Sequence, residues 1–117
     1  MATTYNPTVD SIANAVVDLA ASTANQQILA APGANKQIWV LGLFLMADTA
    51  AGTIKLEDSD GTALTGTMAL SDEGGFVWPL ASQVAIPWLK VPTNKKLQAD
   101  TGTCTVDGVI VYAVVSV

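Results

Sequence analysis

Carboxylates are the side chains through which this sequence could most readily bind a ligand or carry out chemistry. Glu57, Asp58 and Asp60 lie just before Gly61, and carboxylate oxygens are ligands that Ca²⁺ prefers. An EF-hand loop would need further ligands and a closing bidentate Glu, which are missing after Gly61. The segment is therefore interpreted as a solvated hairpin turn, with a weak cation site as the alternative.

A second acidic residue lies in a tripeptide with a catalytic precedent. Asp100-Thr101-Gly102 has the residue types of the active-site loops of aspartic proteases, where two carboxylates share one proton. In those enzymes the Asp comes early in its lobe and many strands follow it, whereas here few residues follow Gly102. We therefore predict an ordinary β-turn between the last two strands, with Gly102 in a left-handed conformation.

The remaining candidates for catalysis are weak. A glycosidase-like pair could exist among the ten acidic residues, but nothing in the sequence selects one. Cys104 is the single cysteine and the sequence has no His to activate it. There is no Arg and no basic run to neutralise the phosphates of a nucleic acid. We therefore expect no enzyme, metal, cofactor or nucleic-acid partner, and keep a hydrolase with paired carboxylates as a remote alternative.

Three tryptophans could instead bind a carbohydrate, because a flat indole stacks on the apolar face of a sugar ring. They are Trp39, Trp78 and Trp88. The last two lie beside prolines, at positions typical of loops or strand ends. Packing in the core or between subunits is the favoured interpretation, since a sugar site also needs polar groups beside the rings.

The composition indicates a single domain with unusually few charges. The chain has 117 residues, of which 50% are hydrophobic and 13% charged, and its net charge is -5. Either uncharged polar residues solvate the surface, or much of that surface faces other protein. No apolar run reaches membrane-spanning length, and the N-terminus lacks the basic and apolar regions of a secretion signal. We therefore expect folding in a cytoplasm and no membrane partner.

Turn residues divide the sequence from residue 25 onwards into short strands. Pro, Gly, Asn and Asp cluster between apolar segments at the spacing expected of an all-β sandwich or barrel. The predicted strands are 26–30, 37–46, 52–57, 67–71, 76–78, 96–100 and 106–117. We predict one sandwich domain over residues 15–117, preceded by a flexible N-terminal arm over residues 1–14.

The boundary between arm and domain allows two interpretations. Apolar residues recur there at helical spacing, namely Val9, Ile12, Val16 and Leu19. The β-branched residues that follow Ala15 favour a strand instead, because they are poor helix formers. We favour an arm that enters a strand at Ala15.

Two predicted strands carry apolar side chains on both faces, since alternate residues of a strand point to opposite sides. In strand 37–46, Ile38, Val40, Phe44 and Met46 share one face, and Trp39, Leu41, Leu43 and Leu45 share the other. An antiparallel sandwich normally leaves one face of each sheet in solvent, so such strands need a second cover. Another subunit is the favoured cover, and the chain's own loops or N-terminal segment are the alternative. The predicted subunit interface is Trp39, Leu41, Leu43, Leu45, Val109, Val111 and Val115.

Three segments carry a resemblance to a known family. They are residues 33–42 (GANKQIWVLG), 74–79 (GGFVWP) and 106–112 (VDGVIVY). In this order, over residues 15–117, the chain resembles the jelly-roll head decoration, or cement, proteins of tailed bacteriophages. The resemblance implies a β-sandwich that self-associates, commonly as a trimer, and docks on the major capsid protein with help from its terminal arm.

We therefore expect an all-β, jelly-roll-like antiparallel β-sandwich with an extended N-terminal arm, assembled in the host cytoplasm and located on the capsid surface of the virion. The predicted function is non-enzymatic capsid decoration. Tyr5, Pro7, Val9 and Ile12 of the arm are the predicted capsid contacts. The alternative is a carbohydrate- or receptor-binding module of a virion fibre or cell surface.

Overall fold

The computed structural model describes residues 8–117, which form two antiparallel sheets. Its strands are β1 (Thr8–Leu19), β2 (Gln26–Leu29), β3 (Lys36–Asp48), β4 (Gly52–Asp58), β5 (Met68–Leu70), β6 (Gly75–Trp78), β7 (Leu89–Lys90), β8 (Leu97–Gly102) and β9 (Thr105–Ser116). Sheet A has the order β1-β9-β3-β6, and the short β7 pairs with the same edge of β3 as β6 does. Sheet B has the order β2-β8-β4-β5. No helix long and apolar enough to cross a membrane occurs over residues 8–117.

The strand order is that of a jelly roll. β1 and β2 pair with β9 and β8, while β3 pairs with β6 and β4 with β5, and the short β7 makes sheet A five-stranded against the four strands of sheet B. The predicted β-sandwich is therefore confirmed. Every strand predicted beyond residue 25 is present, and only β7 was missed, because two residues are too short to show an alternating pattern.

The core lies between the inner faces of the two sheets. Ile54 and Leu56 of β4 are fully buried there, opposite Ile110 and Leu45 of sheet A. Each of these side chains contributes roughly 1.5 to 3 kcal/mol through burial. Sheet A therefore has one face that the sandwich covers, and its outer face must be solvated or covered by something else.

A β-bulge at Leu41 divides β3 into two halves. Val40 pairs with Tyr112 of β9 and Gly42 pairs with the neighbouring Val111, so Leu41 has no partner of its own on β9. The extra residue reverses the alternation of faces. Ile38 and Val40 point into the core before the bulge, and Leu43, Leu45 and Ala47 do so after it. Leu43 and Leu45, which were predicted on the subunit interface, are therefore core residues, and the strict alternation predicted for this strand is wrong beyond Leu41.

β1 begins at Thr8, well before Ala15, because β9 offers it backbone partners as far as Ser116. The predicted boundary between arm and sandwich thus falls inside a continuous strand, and the helical alternative is wrong for residues 8–19. The first half of this strand is exposed, whereas Val17 and Leu19 enter the core. Tyr5 and Pro7, two of the predicted capsid contacts, lie outside the described residues.

Candidate docking surface

A row of apolar side chains crosses the outer face of sheet A. Val16 pairs with Val109, Val109 with Phe44, and Phe44 with Val77, so the row spans β1, β9, β3 and β6. Directly opposed residues of antiparallel strands share a face, so all four point away from sheet B. Their exposed fractions are 79% for Val16, 41% for Val109, 45% for Phe44 and 59% for Val77. The fold thus leaves the middle of this face open.

Two further exposed side chains extend the row. Met46 lies on the same face of β3, and Leu80 lies in the loop that follows β6. We call the six residues the apolar patch: Val16, Phe44, Met46, Val77, Leu80 and Val109. Their exposed surface is on the order of 500 Å², which is near the upper end for the largest patch on a typical monomer, and such patches are often functional.

The loop over residues 79–88 covers the other half of the outer face. Ala81 and Val84 pack against a small second core that consists of Trp39, Leu41, Ala113 and Val115. The Ala81 N–H donates to the Leu41 carbonyl oxygen at 2.7 Å, and the Trp88 N–H donates to that of Val40 at 2.9 Å. The chain therefore covers Trp39, Leu41 and Val115 with its own loop. Such a cover was the alternative to another subunit in the sequence analysis.

Two members of the predicted subunit interface remain accessible. Val109 belongs to the apolar patch, and Val111 beside it is half-buried. The exposed residues Phe44, Met46 and Val77 were missed, because strict alternation placed the first two opposite the predicted interface. Gly42 is the feature of the sequence that could have indicated the bulge at Leu41, since a glycine inside an apolar strand often marks a bulge.

Lys90 lies at one end of the outer face. Its ammonium nitrogen is 4.3 Å from the centroid of the Trp39 ring, which is a cation–π distance. The Trp39 Nε1–H donates to the Gln37 side-chain oxygen at 2.8 Å. Trp39 therefore has its partners within the chain, while Lys90 keeps an exposed positive charge next to the loop.

Acidic side chains lie at the opposite end of the outer face. Asp18 pairs with Asp107 across β1 and β9, and Asp48 ends β3 nearby. Partial burial raises the pKa of Asp107, and the hydrogen bond with Asp18 and the charges of Asp18 and Asp48 raise it further. A depression of about 370 Å³ opens here, lined by Phe44, Met46, Ala47, Asp48, Glu73, Asp107 and Gly108. The outer face thus has an acidic end and a lysine end with the apolar row between them.

The other two tryptophans form a stacked pair at the edge of sheet A. The ring centroids of Trp78 and Trp88 are 5.4 Å apart, with an interplanar angle of 18°. Trp88 is 47% exposed, but its Nε1–H donates to the Pro79 carbonyl oxygen at 2.8 Å. The adjoining depression of about 440 Å³ is lined by Pro79, Leu80, Ala81, Ser82, Ile86, Pro87 and Trp88, among which Ser82 alone has a polar side chain other than the indole.

The acidic residues of β4 and its turn have structural partners. The Asp58 Oδ1 accepts hydrogen bonds from the N–H groups of Asp60 at 2.8 Å and Thr62 at 3.1 Å, which closes the turn. The buried Glu57 accepts a hydrogen bond of 2.9 Å from the Gln98 side-chain amide. Over residues 8–117, His, Cys, Asp and Glu side chains form no group of three that could hold a metal ion.

Asp100-Thr101-Gly102 lies at the end of β8 and not in the turn that follows. The Asn25 N–H donates to the Asp100 carboxylate at 2.8 Å and, as the largest cause, holds the pKa of Asp100 below its usual range. The left-handed residue of the turn is Thr103, with a φ of 68°, so the prediction for Gly102 is wrong. Gly102 is still within the strand and pairs with Thr53, which fixes it in an extended conformation.

The sequence matches no protein-family model, and neither curated proteins nor solved structures give a match. The β4 carboxylates and the indole N–H groups of Trp39 and Trp88 have hydrogen-bond partners within the chain. The apolar patch, in contrast, is open to solvent.

Proposed function

We propose that this protein is a non-enzymatic structural component of a bacteriophage virion, a decoration protein that self-associates and stabilises the capsid surface. The resemblance of residues 15–117 to head decoration proteins supports the proposal, and so does the jelly-roll sandwich. Commonly such proteins are trimers, and a trimer is the assembly that the resemblance implies. Assembly takes place in the host cytoplasm, and the major capsid protein is the partner.

The open apolar patch is the observation that carries the proposal. A stabilising protein needs shape, buried apolar surface and many weak contacts that symmetry repeats, and it needs no turnover. With a net charge of -5 and only five basic residues, the molecule offers few ion pairs for docking. Contacts with other subunits would therefore be mainly apolar and backbone-mediated.

The first half of β1 is the proposed contact with the capsid. Val9 and Ile12 are exposed there, 37% and 56% respectively, on a strand that forms the edge of sheet A. An edge strand carries unpaired backbone N–H and C=O groups, so it can bind a neighbouring extended segment as well as an apolar surface. Docking through this strand would leave the sandwich itself unchanged.

Virions produced without this protein test the proposal. We expect them to lose resistance to heat, and to regain it when the purified protein is added. A V9S/I12S double variant should restore resistance poorly, whereas Val117→Ser, which removes another exposed valine, should restore it fully. Unchanged heat resistance together with no binding of the purified protein to particles would contradict the proposal.

The second candidate function is a carbohydrate- or receptor-binding module of a virion fibre or cell surface, and the exposed Trp88 favours it. A glycan array probed with the native protein would test this function. Binding that disappears in Trp88→Ala, but persists in a Val117→Ser control, would support it. The near absence of polar side chains beside the indole makes decoration the better supported function.

A further inference from the structure

We infer that the apolar patch packs against the same patch of a second copy of this chain, across a two-fold axis that follows the row from Val16 to Val77. The inference rests on the self-association proposed above, replaces the trimer that the resemblance implies by a dimer, and is independent of a location in the virion. Three features of the outer face support the inference, namely its charge distribution, its shape and its area.

The charged ends of the face lie at equal distances from the apolar row. Along β9, Phe44 is at the level of Val109, Trp39 at that of Ala113 and Asp48 at that of Thr105. The two ends are thus each about 13 Å from the row, at about 3.3 Å per residue. A two-fold rotation about the row therefore brings the Asp48 level of one molecule over the Trp39 level of the other.

Charges of opposite sign meet in this arrangement. Lys90 is opposite Trp39, and Glu73 lies beside Asp48 at the acidic end. Because β6 and β7 pair with the same edge of β3, the rotation keeps both charges at that edge. Lys90 of each copy then faces Asp48 and Glu73 of the other. A two-fold axis along the strands would instead place the acidic ends together, which like-charge repulsion disfavours.

The shapes of the two outer faces are also complementary in this arrangement. Leu80 lies over Gly42, where an added Cβ would be 3.2 Å from the Leu80 Cα, and Gly42 is at the level of Val111. Met46 lies equally far on the other side of the row, at the level of Asp107, in the depression of about 370 Å³. The rotation places Leu80 of each copy over the depression of the other.

The area is close to what a specific pair needs. The apolar patch exposes on the order of 500 Å², and the loop and charged ends around it bring each surface towards the roughly 800 Å² per partner of a standard interface. A contact in which both molecules use the same surface closes on itself as a dimer. A trimer would have to use a different contact.

Light scattering of the eluting protein over a concentration series tests the inference. We expect the native chain of 12.1 kDa to have twice that mass, and an F44S/V77S variant to have the mass of one chain. Val117→Ser is the matched control, since it replaces an exposed valine outside the patch and should leave the dimer intact. Cooperative thermal unfolding of each variant establishes that it is folded.

A charge reversal tests the orientation of the two copies. Lys90→Glu should raise the Kd of the dimer by roughly tenfold, because it places an acid against Asp48 and Glu73. Adding Glu73→Lys should restore the native Kd, whereas adding Asp72→Lys, which introduces the same charge in the adjacent residue, should restore less of it.

The outcomes separate this inference from the proposed function. A native monomer, or a native trimer, would overturn the two-fold contact. If such a protein still protects particles from heat, decoration stands without the contact. If the native protein is a dimer that F44S/V77S dissociates, but particles do not bind it, the contact stands and decoration is wrong.

Discussion

Leu41 and Leu43 lie on opposite faces of sheet A, with Leu41 under the loop of the outer face and Leu43 in the core of the sandwich. The bulge at Leu41 accounts for this, since it lets Val40 and Gly42 pair with adjacent residues of β9. One strand thus contributes to two separate cores and also supplies Phe44 to the open part of the outer face.

Leu45 and Met46 are neighbours with opposite surroundings, so they test the assignment of faces beyond the bulge. Leu45→Ala should lower the free energy of unfolding by about 2 to 5 kcal/mol, because Leu45 is fully buried in the core. Met46→Ala removes an exposed side chain and should change it by less than about 0.5 kcal/mol. Urea unfolding at a concentration where both variants are monomeric measures the two values. Equal losses would show that the assigned faces are wrong.

Gly108 is required by the close approach of β9 to β3. A Cβ at this position would overlap the carbonyl oxygen of Phe44, which is backbone and cannot move without disturbing the ladder. Gly108→Ala should therefore cost about 1 to 3 kcal/mol of stability. Gly66→Ala is the control, since no heavy atom lies within 4 Å of its added Cβ. Thermal unfolding should separate the two variants clearly, and an unaffected Gly108→Ala would argue against the register of β3 and β9.

The raised pKa of Asp107 makes stability depend on pH. Partial burial and the nearby Asp18 and Asp48 disfavour its charged form. At a pH between the pKa of the unfolded chain and that of the folded chain, the folded chain therefore holds a proton that the unfolded chain has already released. Stability should therefore fall as the pH rises through the interval just above the ordinary range of an aspartate. Asp107→Asn should raise the Tm at pH 7 and flatten the pH dependence in that interval. Asp72→Asn, which removes the same charge from an exposed turn, should leave the dependence in place.

Asp58 is expected to stabilise its turn without a metal ion. Its carboxylate accepts two backbone N–H groups, so Asp58→Ala should cost about 1 to 2 kcal/mol, as the loss of a helix cap does. Asp60→Ala should cost less, since Asp60 forms only an exposed ion pair with Lys95. A chelator should leave the Tm of the native protein unchanged. A Tm that falls with chelator and recovers with Ca²⁺ would instead support the weak cation site.

The strands could be predicted from the sequence because turn residues with a physical role separate them. Asn35 and Asn94 adopt left-handed conformations, as turn asparagines often do, and Gly61 does so in the turn after β4. The beginning of β1 could not be predicted in this way. The apolar residues of its first half, Val9 and Ile12, have helical and not alternating spacing, and its conformation depends on pairing with the far end of the chain.

The position of the exposed surface could be predicted only in part. The apolar character of both faces of β3 and β9 correctly indicated an apolar outer face, part of which the chain's own loop covers. Which residues lie under that cover depends on the bulge at Leu41 and on the path of the loop over residues 79–88, neither of which local periodicity records. Trp39 and Leu41 are therefore covered, and Phe44 and Val77 are exposed.

Cys104, the single cysteine of the chain, is sealed in the core where β8 turns into β9. A thiol reagent can reach its sulfur only after that region has opened, so the rate of labelling in native buffer reports how often the sandwich opens. No other thiol contributes to the signal, and no reporter group has to be introduced. Each labelled molecule therefore records one opening event of the native fold.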